Sequence, residues 1–308
     1  MKRVDQPLGL LYQNHARRWQ DNAYVYAVVS RRSGGLSIGV NLNPDKACNF
    51  DCIYCQVERR TPAVVRKVDL EVLRQELDTI LTAAADGSLF QGPPFDSLPA
   101  DVRRICDIAF SGDGEPTTYP RFPDAVRIAA DARRRFGLID AKLVLITDAC
   151  YLTRQPVRAA LRELDRHNGE IWAKLDAGTE AYYRIVNRPN FPLSHVMANI
   201  IDAARVRPVV IQSLFMRVHG EPPPAEEIDA YCERLNEIVT AGGRIRLVQL
   251  YTIARETTEA YATMLSDGEL DAIANRVKSR VSAPVVTYYG VGAPPDDAER
   301  DAAGLPRD

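Results

Sequence analysis

No stretch of the sequence approaches the roughly 18–20 consecutive apolar residues that a helix needs to cross a bilayer. Met1–Gln20 is polar and lacks the apolar core of a secretion signal. Together these absences predict a cytoplasmic protein with no membrane partner. Charge of either sign is not in excess: the net value of -2 at pH 7 demands no polyanionic partner for the chain as a whole. Cysteine is sparse, six in 308 residues, and three of the six fall within eight positions while Cys106, Cys150 and Cys232 lie far apart. That distribution argues against a disulfide scaffold and for metal binding. No glycine-rich dinucleotide fingerprint follows the first strand, which weighs against an open nucleotide-binding sheet.

What is present is an ordinary core-forming composition, 46% hydrophobic and 26% charged. The length suits one large α/β barrel-type domain or two smaller ones. Charge is unevenly placed. Residues 1–67 hold eleven Lys and Arg against five Asp and Glu, an excess of six, which leaves -8 for the remainder. A positive front end suits a phosphorylated substrate, RNA or an acidic electron donor, or is simply a solvated basic surface.

Hydrophobic periodicity orders the chain. Residues 1–30 read as an amino-terminal extension with a short strand at Ala23–Val29, and Leu36–Leu42 alternates like a strand. Asp69–Ala85 has helical spacing through Leu70, Leu73, Leu77, Ile80 and Leu81, and Gly87–Leu98 is a Pro-rich loop. Strands are expected at Asp107–Phe110, Lys142–Thr147, Glu170–Leu175, Val209–Met216, Arg244–Tyr251 and Pro284–Tyr289. Helices are expected between them at Phe122–Phe136, Gln155–Leu164, Thr179–Val186, Ser194–Ala204, Ala225–Ala241 and Asp267–Val281. About six strand–helix units starting at Leu36 predict parallel strands covered by helices. The expected organisation is an α/β partial barrel over 31–290, followed by a mobile Pro- and Asp-rich tail over 291–308. A barrel carries its function on loops after the strand carboxyl ends.

Cys48-Asn-Phe-Asp-Cys52-Ile-Tyr-Cys55 places three thiols in CxxxCxxC spacing. Soft thiolates suit zinc or an iron–sulfur cluster. Structural zinc wants four ligands, and the four histidines (His15, His167, His195, His219) show no pairing with this loop. A four-iron cluster held by three cysteines leaves one iron open to an outside ligand, as a catalytic cluster requires. Zinc and a non-catalytic redox site remain the alternatives at this point.

With Tyr54 before its last cysteine, the loop resembles the hallmark of the radical S-adenosylmethionine superfamily. The resemblance implies a partial (β/α)6 TIM-type barrel, a [4Fe-4S] cluster on Cys48, Cys52 and Cys55, and S-adenosylmethionine chelating the open iron. It further implies reductive cleavage to a 5′-deoxyadenosyl radical that abstracts hydrogen from substrate. Phe110-Ser-Gly-Asp-Gly-Glu-Pro-Thr117 resembles the superfamily's Gly-Gly-Glu element, with Asp113 where the first glycine usually stands. By carry-over, the strand end at Gly112, Asp113 and Gly114, together with Glu115, binds the methionine ammonium group. Ser30–Pro44, Trp172–Gly178 with Asn187-Arg-Pro189, and Val248–Thr252 resemble a narrower, stand-alone group similar to the wyosine-base synthetases of tRNA.

Further cofactor contacts are expected from Tyr54, Thr147, Asp176, Gln212 and Gln249: Asp176 on the adenosine ribose if it points into the barrel mouth, or with Lys174 in a surface salt bridge or helix cap, and the two glutamines on adenine or substrate if they face inward, or merely tolerated if they face outward. Lys174, Asp148 and Cys150 are the catalytic candidates: Lys174 toward a cofactor carboxylate or substrate, Asp148 in a loop where related proteins more often have Asn-Gly, and Cys150 as a reactive thiol or a packed one. Arg217, His219 and Arg255 are candidates for anionic substrate groups. Expected partners are a small-molecule or nucleotide-like substrate, RNA included, and an acidic electron donor such as flavodoxin or ferredoxin. Since no cysteine precedes Cys48, a single cluster is expected, unlike the two of wyosine synthetases.

Overall fold

The computed structural model describes residues 22–290. Most of the expected amino-terminal extension and the whole expected tail lie outside the described residues. The class is mixed α/β, with strand and helix alternating along the chain as expected of a partial (β/α) barrel. Contacts divide the chain into two compact units, one of Met1–Asn49 with Val57–Ala173 and one of Phe50–Gln56 with Lys174–Asp308.

In the first unit five strands follow one another: β1 (Val25–Ser30), β2 (Gly35–Val40), β3 (Ile105–Phe110), β4 (Lys142–Thr147) and β5 (Gly169–Lys174, whose last residue belongs to the second unit). β1 pairs antiparallel with β2, and each later pair is parallel. The expected strand at 23–29 is therefore half of a hairpin with β2. Tyr26 sits opposite Gly39 in that hairpin, and a Cβ on Gly39 would overlap its ring. Only glycine leaves room for the ring there.

Among the described residues this unit contains the α-helices α1 (Leu70–Asp86), α2 (Phe122–Arg135) and α3 (Gln155–Arg166). Asp69 caps α1 by accepting from the N–H groups of Glu71 and Val72, and left-handed Gly87 ends it. Leu73, Leu77 and Ile80 of α1 are fully buried, as are Leu36, Ile38, Ile108, Phe110 and Leu143 on the strands. Each such side chain contributes about 1.5–3 kcal/mol by leaving water. Glu76 breaks the apolar stripe: its carboxylate accepts from the N–H groups of Ala23, Tyr24 and Val25 and so anchors the start of β1 to α1.

The second unit contains α4 (Glu180–Asn187), α5 (Leu193–Val206), β6 (Val209–Leu214), a short β7 (Arg217–Val218), α6 (Ala225–Thr240), β8 (Ile245–Tyr251), β9 (Ala262–Thr263), α7 (Asp267–Arg280) and β10 (Val285–Tyr288). β6 pairs parallel with β8, and β8 with β10. β7 and β9 form a small antiparallel pair that periodicity could not reveal, being two residues each. Ser266 and Glu269 make a capping box at the start of α7. Glu227 of α6 accepts from Gly178 N–H at 2.5 Å and Thr179 Oγ1 at 2.6 Å, fixing the turn that leads into α4.

Candidate active site

In the first unit β2, β3 and β4 are parallel, so their carboxyl ends share one edge. β2 runs on into Asn41, and the turn after β3 is built on it. Asn41 Nδ2 donates to Asp113 Oδ2 at 2.7 Å, while Asn41 Oδ1 accepts from Asp113 N–H at 3.2 Å and Asn43 N–H at 3.1 Å. Asp113, where the superfamily usually has glycine, is thus held by an asparagine on the neighbouring strand end. Gly114 has no room for a side chain: a Cβ would overlap the carbonyl oxygen of Ala47. The next N–H, that of Glu115, donates to the same Ala47 carbonyl at 3.3 Å. The turn is therefore clasped to the residue immediately before Cys48.

Glu115 is buried and heavily engaged. It accepts from Thr117 N–H at 3.1 Å, Thr117 Oγ1 at 2.5 Å, Thr147 Oγ1 at 2.8 Å and the Asp148 N–H at 2.7 Å. Asp148 in turn accepts from Cys150 N–H at 2.9 Å and Asn49 Nδ2 at 3.0 Å. Burial, and then the charge of Asp148, push Glu115 up to about 8, and burial likewise raises Asp148. These two carboxyls join the ends of β3 and β4 to Asn49, the neighbour of Cys48. The geometry makes Glu115 a brace of the turn, since its oxygens already serve protein donors; residues 111–114 of the turn are partly exposed.

Thr147 donates to Glu115 and accepts from Ala149 N–H at 3.0 Å. Ala149 itself is left-handed, φ +65°, a conformation natural to glycine. Cys150 does not behave as a reactive thiol. It is 2% exposed, its Sγ lies 3.9 Å from the Asp148 carbonyl, and burial followed by the Asp148 charge raises its thiol far above the ordinary range. A nucleophilic cysteine needs the opposite environment; the burial of Cys150 is that of a packed thiol.

The second unit holds Cys52, Tyr54 and Cys55 around the end of α4. Val186 and Asn187 carbonyls accept from the N–H groups of Ile53 at 3.0 Å and Asp51 at 3.1 Å. Arg188, left-handed at φ +43°, ends the helix and reaches Asp51 at 3.3 Å, Glu259 at 2.7 Å and the Tyr261 hydroxyl at 2.6 Å. Cys55 is fixed through its backbone, its N–H donating to the Cys52 carbonyl and its carbonyl accepting from Thr258. Helix end and cysteine loop are thus one hydrogen-bonded piece. The Asn-Arg-Pro motif at 187–189 gains a physical role: it grips the loop that carries two of the thiols.

Asp176 is the hub beneath them. One oxygen accepts from Leu214 N–H at 2.9 Å; the other accepts from the Tyr54 hydroxyl by a short bond, from Asn187 Nδ2 at 2.8 Å, and pairs with Lys174 at 3.5 Å. Both oxygens serve protein donors and the residue is 2% exposed, which differs from the expectation of an open ribose ligand. Tyr54 likewise points inward as a donor to Asp176, and burial raises its hydroxyl well above the ordinary value. Asn187 Nδ2 also lies 3.5 Å from Cys52 Sγ, and Asn187 Oδ1 is buried with no hydrogen-bond partner among the described residues.

Lys174 heads a chain of polar groups. Its Nζ donates to Tyr251 Oη at 3.1 Å, Tyr251 donates to Gln212 at 3.3 Å, and Gln212 donates to Gln249 at 3.2 Å. Gln212 and Gln249 are register partners on β6 and β8, so both stand on one face of the sheet as a polar ladder, and both are buried. Burial acts to lower the Lys174 ammonium, but Asp176, Tyr251 and Cys52 outweigh it and hold the group charged. Its side chain keeps 16% exposure. Arg217 pairs with Glu269 at 2.8 Å, His219 stacks on Tyr261, and Arg255 bonds Gln56 at 2.7 Å. All three have protein partners rather than the free anion contacts expected.

The donor chemistry fits an iron–sulfur cluster. Cys48, Cys52 and Cys55 are free thiols, each half-buried. Burial pushes the Cys52 thiol up to about 12, so ligation must displace a proton. The Asn187 amide beside Cys52 is the kind of N–H donor that surrounds cluster sulfurs. Among the described residues no three His, Cys, Asp or Glu side chains, the loop cysteines included, converge on one point suited to a single metal ion. The roles of Asn41, Asn187, Tyr251 and Glu76 escaped sequence reasoning because their partners are distant in the chain; the stretches Ser30–Pro44, Asn187-Arg-Pro189 and Val248–Thr252 were local signals for the first three.

Among the described residues no helix is long and apolar enough to cross a membrane. The Radical SAM superfamily model matches residues 42–232. A Brachyspira hyodysenteriae protein named GTPase Obg is 25% identical over 88% of this chain, which spans 35% of that relative's length. A UPF0026 protein of Helicobacter pylori is 25% identical over 80% of this chain and 71% of its own. The crystal structure of Streptococcus suis SuiB bound to S-adenosylmethionine aligns with TM-score 0.55 at 12% identity, covering 84% of this chain and 52% of that one; this likeness shows the fold alone.

Proposed function

Because the chain belongs to the radical SAM superfamily, we propose that it is an enzyme holding one [4Fe-4S] cluster on Cys48, Cys52 and Cys55 and acting on a nucleotide-like substrate, RNA included. The family implies S-adenosylmethionine and an iron–sulfur cluster, and membership sets aside the reading of a non-catalytic redox protein. The sequence has no Gly-Lys pair of a phosphate-binding P-loop, so the GTPase name of the Brachyspira relative is not carried over.

The observation that carries this reading is the clasp between the turn after β3 and the residue before the first cysteine: Gly114 pressed on Ala47, with Glu115 N–H bonded to it. It ties the segment proposed for the methionine group to the segment proposed for the cluster. When bound, the cluster and cofactor supply one electron and a 5′-deoxyadenosyl radical that takes a hydrogen atom from substrate. The residues of the chain bind and orient. Backbone groups of 111–114 present acceptors to the ammonium, braced by Glu115 and Asn41. Lys174, partly open and paired on one side with Asp176, offers a counter-charge to a carboxylate. Asp176 and Asn187 hold Tyr54 and Cys52 in place.

The narrower resemblance to wyosine-base synthetases and the basic segment at 46–67 support a nucleotide-like substrate. Reconstitution without oxygen, followed by reductant and S-adenosylmethionine, tests the reading. About four irons per chain and release of 5′-deoxyadenosine are expected. About eight irons would refute the single cluster, and an intact cluster that releases no 5′-deoxyadenosine would refute the chemistry.

A further inference from the structure

Of the eleven cations in the basic front end, five cluster at Lys46, Arg59, Arg60, Arg66 and Lys67, and the chemistry above gives them no task. Three of these, Lys46, Arg59 and Arg66, line one cavity of about 370 Å³ together with Thr61 and Asp45. That volume lies in the range of small-molecule sites, about 300–1,000 Å³. We propose that this cavity binds the phosphate group of the substrate.

The cations are placed by the backbone. Lys46 is left-handed, φ +64°, in a turn closed by its N–H on the Asn43 carbonyl at 2.8 Å. Its ammonium donates to the Thr61 carbonyl at 2.9 Å and pairs with Glu58 at 3.4 Å. The Arg59 guanidinium donates from Nη1 to the carbonyls of Lys46, by a short bond, and of Asp113 at 3.0 Å. Arg66 is exposed and makes no ion pair among the described residues.

The acids nearby are accounted for. Glu58 lies outside the lining and serves the N–H groups of Arg60 and Thr61 as well as Lys46. Asp45 lines the cavity but accepts from Ala47 N–H at 3.1 Å. Three cations against Asp45 on the lining and Glu58 paired with Lys46 leave the concavity with an excess of one positive charge, and a concave wall focuses that potential. Cations arriving from three separate chain positions suit the tetrahedral oxygens of a phosphate better than a planar carboxylate, which one guanidinium fork satisfies. The position matters too. Arg59 joins the cavity wall directly to the carbonyl of Asp113, in the turn assigned to the cofactor, so a phosphate held here sets the rest of a substrate beside that turn. This deepens the reading above, and only the phrase "of the substrate" rests on it.

The test is calorimetric titration of the full chain with inorganic phosphate and with pyrophosphate, without S-adenosylmethionine or reductant. Failure here therefore leaves the cluster chemistry untouched. Saturable, salt-weakened binding is expected. Arg66→Ala should weaken it about tenfold, equivalent to about 1.4 kcal/mol, and Arg66→Glu should abolish it. Arg66 is exposed, so neither variant should disturb folding; Lys46→Met provides a second reading from a different wall. Wild-type protein that binds no phosphate, or variants at both positions that bind as wild type does, overturns the proposal. Competition separates the sources. A 5′-mononucleotide that displaces phosphate as well as short single-stranded RNA does assigns a small molecule; RNA acting at about tenfold lower concentration assigns a polynucleotide. If neither displaces phosphate, the cavity is not a substrate site.

Discussion

The side-chain amide of Asn187 stands between Cys52 and Asp176, 3.5 Å from the sulfur of one and 2.8 Å from an oxygen of the other. One residue at a helix end thereby connects a proposed cluster ligand to the carboxylate that holds Tyr54. N–H donors to a ligand sulfur favour the reduced, more negative cluster. Asn187→Ala should therefore shift the midpoint potential to more negative values and lower iron retention against a chelator about tenfold. Redox titration followed by electron paramagnetic resonance, together with iron analysis, gives both readings. An unchanged potential and unchanged iron content would show that the amide serves Asp176 alone.

Ala149 carries a left-handed backbone at φ +65°, which costs a residue with a Cβ roughly 1 kcal/mol. Its space among buried neighbours admits the smaller residue. Ala149→Gly should raise the melting temperature by about 2–4 °C, read by thermal unfolding. A lower melting temperature would mean that the methyl group's packing outweighs the strain.

Glu115 and Asp148 titrate together, and the buried Glu115 carboxyl is raised to about 8 from the ordinary 4.5. Its folded pKa exceeds its unfolded one, so between about 4.5 and about 8 the native state binds more protons. Stability from this pair is therefore full at the acid end of that window and is lost as pH rises through it. The effect is on the order of a few kcal/mol. Glu115→Gln should flatten the dependence of unfolding free energy on pH between 5 and 8. An equally steep slope in the variant would place the responsible group elsewhere.

Lys174 is held charged beside Cys52 and Tyr54, its ammonium 4.8 Å from the Tyr54 ring centre. Lys174→Met keeps the side-chain length and removes the charge. Cluster assembly should survive, while affinity of the reconstituted protein for S-adenosylmethionine falls about tenfold, the value of one charge-assisted contact of about 1.5 kcal/mol. Equilibrium binding measures it, and unaltered affinity would move Lys174 to the substrate side.

The alternation of strands and helices was legible because each element has its own period of apolar residues, and the six units counted from Leu36 are present. The short β7 and β9 carry too few residues to show any period. The candidate site was legible in its residues and much less so in their roles. Asp176 reads in sequence either as a ribose ligand or as a salt-bridge or capping carboxylate, and it is saturated by Leu214, Tyr54 and Asn187 and paired with Lys174. Cys150 reads as a possible nucleophile, yet its thiol is packed against the Asp148 carbonyl.

Spacing along the chain, by itself, determined that three thiols share one eight-residue loop, that a Gly-Asp-Gly-Glu turn ends the strand after it, and that the front end is basic. Those are short-range facts, and a covalent chain encodes them directly. Which carboxylates are open and which are already bonded, that Asn41 holds Asp113, and that Arg59 lines a cavity beside Asp113 was decided only by the tertiary structure. Such contacts join residues tens of positions apart. They depend on strand register and on the desolvation of each group, neither of which has a local signature.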